Sequence, residues 1–220
     1  MKCSRKDIVI LSIGVVISMF LAYVIQAGMK KPAIINTKDP AVTQFVDYKE
    51  HDFSIGNKDA DVKVVFYGDF TCHHCMRFMN ENFIRLRDEY ILTGKIQFIF
   101  RPFITTKSSL FGSQYLMCNT NKDDYVKSYM LNTMFEDKWM MKKDYANALL
   151  AIVRKEGWST DDEVIKCVSS TKLRDYLFEQ NNIAYEKLNI KSTPAIFVNY
   201  NHATADGSIF KMIDKFLKIK

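Results

Sequence analysis

Residues 62–75 read VKVVFYGDFTCHHC, and this stretch decides the fold prediction. Its first six residues are β-branched or aromatic apart from one lysine, which predicts a buried strand. It ends in Cys72-His73-His74-Cys75, two cysteines separated by two histidines. Beyond it, apolar residues recur at spacings of three and four, which predicts a helix with one buried face. The sequence therefore places a cysteine pair between a strand and a helix.

The cysteine pair is predicted to have one accessible and one sheltered thiol. Cys72 should lie at the mouth of the helix, where unpaired N–H groups and the positive end of the dipole favour a thiolate. Cys75 should join the buried face. His73 and His74 can add N–H donors or positive charge. Because a thiolate attacks disulfides and a thiol hardly does, this pattern predicts a redox-active Cys72–Cys75 disulfide.

Two other interpretations of the pair are half of a zinc site and a structural disulfide. A zinc site of this kind normally needs a second ligand pair at similar spacing. The remaining candidates, Cys118 and Cys167, are single and far apart. We therefore expect redox chemistry with no metal and no other cofactor.

A second landmark is Thr193-Pro194, which precedes the strand-like run 195–199, AIFVN. Proline cannot donate a hydrogen bond to a neighbouring strand, so Pro194 should begin this strand or lie at a sheet edge. From these residues alone, a trans peptide bond before Pro194 is the default, since most X–Pro bonds are trans.

Three stretches in this order resemble the DsbA-like branch of thioredoxin-fold proteins: residues 56–62, 68–75 and 192–199. Those proteins are bacterial periplasmic thiol:disulfide oxidoreductases. The resemblance covers roughly residues 53–220, and it implies an α/β thioredoxin fold interrupted by a helical insertion. The implied divisions are a thioredoxin-like domain at 53–104 and 187–220 and a helical insertion at 105–186. Within the insertion, Ser109 is expected to cap a helix that runs through Cys118.

The resemblance also implies roles for individual residues. Cys72 is the nucleophile and Cys75 the resolving cysteine, and His74 stands where a histidine supports the nucleophile's anion. Pro194 falls on the family's cis-proline, and Thr193 presents its backbone to a peptide bound beside the disulfide.

This chain departs from the family pattern at two positions. His73 stands where the best-known members have proline. Phe66 stands where many carry a buried acidic residue that is thought to assist proton transfer. Asp69 is nearby, but it lies three positions further along the chain and does not simply replace that acid. The redox potential and the proton route therefore do not follow from the resemblance.

The remaining cysteines allow a second disulfide. Cys3 precedes the N-terminal apolar segment and is not expected to be exported with the rest of the chain, which leaves four cysteines. If Cys72 and Cys75 form a disulfide, Cys118 and Cys167 are either paired or both free. An oxidising compartment favours pairing. The resemblance supports a Cys118–Cys167 bridge, because some α-proteobacterial relatives have a second disulfide inside the insertion.

Composition excludes some functions. The chain has 220 residues, of which 48% are hydrophobic and 25% charged, as is usual for a globular protein. The net charge of +6 is spread along the chain, and no run of five basic residues occurs. We therefore expect no nucleic-acid partner.

The N-terminus carries an export signal, predicted to be residues 1–27. Residues 8–27 are 20 residues without a charge, preceded by Lys2, Arg5 and Lys6. At about 1.5 Å per residue, such a helix crosses the ~30 Å hydrocarbon core. The length favours an uncleaved anchor over a cleaved signal peptide. Residues 28–52 are predicted to be a polar connector.

The predicted function is an exported oxidase that introduces disulfides into reduced or unfolded periplasmic proteins. It would be tethered to the inner membrane by residues 8–27 if these are not cleaved. The resemblance implies reoxidation by a quinone-linked membrane partner. The connector has no coiled-coil heptads and no room for a dimerisation domain, which favours a monomer. The alternatives are an isomerase or reductase of the same fold and a metal-handling or peptide-binding module.

Overall fold

The computed structural model describes Met19 and residues 40–49, 52–119, 122–135, 145–158 and 160–219. Its contacts divide the chain into Met1–Ile35 and Asn36–Lys220, and the sheet belongs to the second unit. Apart from Met19, the predicted anchor at residues 8–27 lies outside the described residues. Within the described part of the chain, no helix is long and apolar enough to cross a membrane.

A five-stranded sheet with the order β1-β3-β2-β4-β5 forms the centre of this unit. β2 pairs with β3 in parallel, and the other neighbouring strands are antiparallel. The strands are β1 (Phe53–Gly56), β2 (Val62–Gly68), β3 (Ile96–Pro102), β4 (Ala195–Val198) and β5 (Asn201–Ala203).

The predicted helix after the cysteine pair, α2, alternates α-helical and π-helical turns. Between β3 and β4, the described residues form five helices. The segments of α2 are His73–Phe78 and Ile84–Leu86 (α) with Met79–Phe83 and Arg87–Ile91 (π). The other helices are α1 (Pro40–Val46), α3 (Lys107–Met117), α4 (Asp124–Met134), α5 (Tyr145–Glu156), α6 (Asp161–Val168), α7 (Thr171–Glu186) and α8 (Ser208–Leu217).

β2 is buried almost throughout because its neighbours in the sheet and the packed helices cover it. Phe66, which stands where many DsbA-like proteins carry an acid, is completely buried. Its ring centroid lies 5.1 Å from that of Phe78 on α2 and 5.9 Å from that of Phe100 on β3. This position is therefore part of an aromatic cluster that attaches α2 to the sheet.

The first helix of the insertion does not begin where the sequence indicated. Thr106, and not Ser109, is the N-cap of α3, and its hydroxyl accepts the Ser109 N–H at 3.0 Å. The Ser109 hydroxyl in turn accepts the Thr106 N–H at 3.1 Å, which forms a capping box. The prediction was wrong because both residues are good caps and only the backbone path decides between them.

The segment predicted as a connector, residues 28–52, contains helix α1. Arg101, on β3, donates to the Phe45 carbonyl at 2.7 Å and to the two Asp52 carboxylate oxygens at 2.9 and 2.6 Å. It also donates to the Tyr67 hydroxyl at 2.9 Å. The side chains of Arg101 and Asp52 are each 4% exposed. The folded unit therefore begins before Phe53, because Arg101 binds residues 45 and 52 to β3.

A disulfide joins Cys118, at the end of α3, to Cys167 on α6, with an S–S distance of 1.87 Å and a Cα–Cα distance of 6.0 Å. The two cysteines are 49 positions apart in the chain, and the bridge lies within the helical region.

Candidate active site

Cys72 is the N-cap of α2, so its sulfur stands where a serine or aspartate oxygen usually does. Its backbone is extended (φ −94°, ψ 116°) and its carbonyl accepts the Met76 N–H at 3.0 Å. The Sγ atom accepts the N–H of Cys75 at 3.4 Å. The sulfur therefore lies at the positive end of the helix, in contact with a backbone donor.

The strand order brings Thr193 to the cysteine pair. β4 runs antiparallel to β2, with Ala195 opposite Tyr67, so the start of β4 lies beside the end of β2. The Thr193–Pro194 peptide bond is cis. The Cys72 Sγ atom lies 3.3 Å from the Thr193 carbonyl oxygen, to which the sulfur donates a hydrogen bond when it is protonated. Two of the predicted site stretches, separated by more than a hundred residues, thus meet at the sulfur.

The two cysteines are both free thiols, and their environments separate their pKa values. The pKa of Cys72 is lowered to about 5, first by a hydrogen bond from the Cys75 side chain. The Thr193 side chain and the backbone groups of Cys75 and His74 lower it further, while burial opposes them. Burial is the main cause that raises the pKa of Cys75 well above its usual range. At neutral pH the pair therefore holds a thiolate on Cys72 and a proton on Cys75.

Accessibility divides the pair in the same way. Cys72 is partly exposed, whereas Cys75 is 0% exposed and belongs to the hydrophobic core. A partner sulfur can approach Cys72 from solvent, and it reaches Cys75 only after the core has been disturbed.

Both histidines of the motif have exposed side chains. His74 contributes its backbone N–H to the Cys72 sulfur. Support of the anion by the imidazole of His74, and any role for that of His73, stay predictions. Among the residues that the structure describes, no group of three His, Cys, Asp or Glu side chains converges in a way that would hold a metal ion.

Asp69 is a site residue whose role sequence reasoning missed. It follows β2 directly, is 2% exposed, and its backbone carbonyl accepts the Cys72 N–H at 3.1 Å. Its carboxylate accepts hydrogen bonds from Thr71 and Thr105. The local signal was an aspartate two residues before a threonine in a turn, a pattern typical of Asx turns.

One sulfur lies at the N-terminus of a helix and the other is buried. This arrangement defines a class of proteins, the thioredoxin-fold proteins that exchange thiols and disulfides. A family profile described as thioredoxin matches residues 48–218 of this chain. A Bacillus anthracis protein named as a disulfide bond formation protein D is 31% identical, over 99% of this chain and 100% of that protein. A Rickettsia bellii protein named as a protein-disulfide oxidoreductase is 30% identical, over 85% of this chain and 76% of that protein.

Solved structures share the fold. Wolbachia pipientis alpha-DsbA1 has a TM-score of 0.68 at 22% identity, covering 80% of this chain and 95% of that chain. Oxidised BdbD from Bacillus subtilis has a TM-score of 0.66 at 22% identity, covering 76% of this chain and 94% of that chain. The chain belongs to the thioredoxin family and, within it, to the DsbA-like disulfide oxidoreductases. The predicted family, the mixed α/β fold and the reaction class of protein dithiol-disulfide oxidoreductase are confirmed.

Proposed function

We propose that the chain is an exported thiol oxidase that donates its Cys72–Cys75 disulfide to reduced proteins in the bacterial periplasm. One observation carries this proposal: the Cys72 sulfur caps α2 and has its pKa lowered to about 5, while Cys75 is buried and stays protonated. Stabilising the thiolate stabilises the reduced pair. The disulfide form is then the stronger oxidant, because it gains more free energy on accepting two electrons.

The reaction follows from the accessibility of the two sulfurs. A substrate thiolate attacks Cys72 Sγ, the Cys72–Cys75 bond breaks, and Cys75 leaves as a thiolate that takes up a proton. A second substrate thiolate then attacks the substrate sulfur of the mixed disulfide, and Cys72 leaves as a thiolate. The substrate dithiol loses two electrons and the cysteine pair gains them. The low pKa of Cys72 makes it a good leaving group in the second step.

Thr193 and Pro194 form the proposed substrate contact. The Thr193 carbonyl lies 3.3 Å from Cys72 Sγ, so a peptide that binds along the Thr193 backbone approaches the disulfide. Residues 193 and 194 are both partly exposed, which leaves room for such a peptide.

The proposed setting of the enzyme rests on the sequence. Residues 8–27 carry no charge and follow Lys2, Arg5 and Lys6, which favours a cytoplasmic N-terminus and export of the remaining chain. The segment then serves as an inner-membrane anchor unless it is cleaved. Reoxidation of the reduced pair needs an electron acceptor, for which we propose a quinone-linked membrane partner. The enzyme acts as a monomer in this proposal.

A dithiol-oxidation assay tests the proposal. The full chain, oxidised beforehand, is mixed with a reduced peptide that contains two cysteines, and formation of the peptide disulfide is followed. Cys3→Ser is included in every sample so that this additional thiol does not contribute. We expect rapid oxidation by the parent chain and none by Cys72→Ser. Equal activity in Cys72→Ser would refute the site assignment.

The reduction potential distinguishes an oxidase from an isomerase or reductase. We expect a value clearly above about −180 mV, because the stabilised thiolate makes the disulfide more oxidising. A potential of about −180 mV, as in protein disulfide isomerase, would indicate an isomerase, and one of about −270 mV, as in thioredoxin, would indicate a reductase.

A further inference from the structure

Asp69 carries a carboxylate into the interior directly beside the cysteine pair. It comes three positions before Cys72, and its side chain is 2% exposed. A buried carboxylate is costly unless hydrogen bonds or a cation compensate for the lost water. Among the described residues, Asp69 takes part in none of the salt bridges. Hydrogen bonds therefore compensate for its burial.

The two carboxylate oxygens bind two different segments. Oδ1 accepts the Thr71 N–H at 2.5 Å and the Thr71 hydroxyl at 2.6 Å. Oδ2 accepts the Thr105 N–H at 3.1 Å and also the Thr105 hydroxyl. Thr71 precedes the nucleophile, and Thr105 precedes the N-cap of α3, the first helix of the insertion. One side chain thus connects the turn that bears Cys72 with the start of the helical region.

A second contact brings the same two segments together. The Phe70 side chain packs against α3 so closely that a Cβ atom at Gly112 would lie 3.0 Å from a Phe70 ring carbon. Glycine inside a helix is less favourable than alanine. The close approach of Phe70 explains why α3 has glycine at this position. Residues on both sides of the Asp69–Phe70 peptide bond therefore face the insertion.

The placement of the sulfur depends on this turn. The Asp69 carbonyl accepts the Cys72 N–H at 3.1 Å, while its carboxylate accepts the Thr71 N–H. These bonds determine where Cys72 leaves the turn, and its extended backbone then directs Sγ toward the Cys75 N–H.

We propose that Asp69 is a positioning residue, whose carboxylate holds the turn 69–72 against the start of the helical insertion and so keeps the Cys72 sulfur in its N-cap position. The inference rests on the proposed function only in treating Cys72 as the nucleophile. Tyr145, on α5, interacts electrostatically with Asp69, and burial raises its pKa so that it stays a neutral phenol. Within the part of the chain that the structure describes, Cys75 is the ionisable side chain that acts on the pKa of Cys72, and both histidines of α2 have exposed side chains.

If the Asp69 carboxylate is removed, a positioning role and a purely electrostatic role predict shifts of opposite sign in the pKa of Cys72. A negative charge near a thiolate raises the pKa of the thiol, so removal of a purely electrostatic Asp69 would lower the pKa of Cys72. Removal of a positioning Asp69 lets the sulfur move away from its N–H donors, and the pKa of Cys72 rises. The sign of the shift therefore decides between the two roles.

The test is a titration of Cys72 in the reduced full chain, followed by the ultraviolet absorbance of the thiolate. We expect Asp69→Ala to raise the pKa of Cys72 by about one unit or more, which means about tenfold less thiolate below the midpoint. Asp69→Asn keeps an acceptor for Thr71 but turns amide hydrogens toward the Thr105 N–H. We therefore expect it to raise the pKa of Cys72 less than Asp69→Ala does. Thr105→Val removes only the hydroxyl and gives the smallest rise.

Asp206 provides a matched control. Its carboxylate accepts the Ser208 N–H at 2.8 Å, two residues on, as Asp69 does for Thr71, but it is exposed and lies before α8. Asp206→Ala should leave the pKa of Cys72 unchanged.

An unchanged or lowered pKa of Cys72 in folded Asp69→Ala would overturn the proposal. If that variant does not fold, an unchanged or lowered pKa in both Asp69→Asn and Thr105→Val would do the same. The titration needs no oxidation activity. A parent chain that fails to oxidise dithiols would thus refute the proposed function and leave this comparison valid.

Discussion

The Cys72 sulfur lies 3.3 Å from the carbonyl oxygen of Thr193, although 121 positions separate the two residues. The contact exists because β4 begins beside the end of β2, where the chain turns into α2. The Thr193 backbone and the Cys72 sulfur are therefore adjacent, and the hydrogen bonds between β2 and β4 determine their relative position.

Alkylation of the reduced chain should report the thiolate of Cys72. Because its pKa is lowered to about 5, the rate of reaction with iodoacetamide should rise with a midpoint near pH 5 and then level off. Mass spectrometry should place the label on Cys72, since Cys75 is buried and protonated. A midpoint near 9.0, the ordinary value for cysteine, would contradict the prediction.

The stability of the reduced chain should depend on pH through the same group. The pKa of Cys72 is lower in the folded state than the ordinary 9.0, so its contribution to stability is fully present above pH 9.0 and is lost as the pH falls through about 5. The oxidised chain lacks this titration. The difference in Tm between the reduced and oxidised forms should thus shift in favour of the reduced form from pH 5 to pH 9. Calorimetry on both forms measures it, and a difference that is independent of pH would count against the lowered pKa.

Thr193→Val should raise the pKa of Cys72 by up to about one unit. The Thr193 side chain hydrogen-bonds the sulfur and is one of the groups that lower its pKa, and valine keeps the shape without the hydroxyl. Thr193→Ser keeps the hydroxyl and is the matched control, for which we expect little change. Equal shifts in the two variants would show that the hydroxyl is not responsible.

His74→Ala should raise the pKa of Cys72 by less than about one unit. The imidazole is exposed and therefore screened by solvent, while the backbone N–H that contacts the sulfur is retained in the variant. His73→Ala, next to it in the chain, should leave the pKa unchanged. Titration of both variants tests the predicted roles, and a larger shift for His73 than for His74 would reverse the assignment.

Arg101→Met should lower the free energy of unfolding by about 3 to 5 kcal/mol, because Asp52 would be left as an unpaired buried carboxylate. Arg174→Met removes an arginine from a pair whose side chains are 46% and 67% exposed, and it should cost less than about 1 kcal/mol. Urea denaturation of the oxidised chains measures both. Similar costs for the two variants would mean that burial of the Arg101–Asp52 pair is not decisive.

Much of the site was predictable because its signals are local. The β-branched run before Cys72 and the apolar spacing after Cys75 report a strand and a helix directly, and residues next to each other in a helix remain neighbours in the fold. The interactions that were missed join distant segments. Asp69 reaches Thr105 and Arg101 reaches Asp52, and no periodicity reveals which polar groups will be buried together.

The amino-acid sequence by itself determined the chemistry of the pair: two cysteines at the start of a helix, one at its mouth and one on its buried face. The tertiary structure decided how far that chemistry is tuned. It placed Thr193 against the sulfur, used the Asp69 carboxylate to hold the turn, and sealed Cys75 in the core. The physical reason is that a pKa depends on burial and on hydrogen-bond partners. Both are set by the packing of segments that are far apart in the chain.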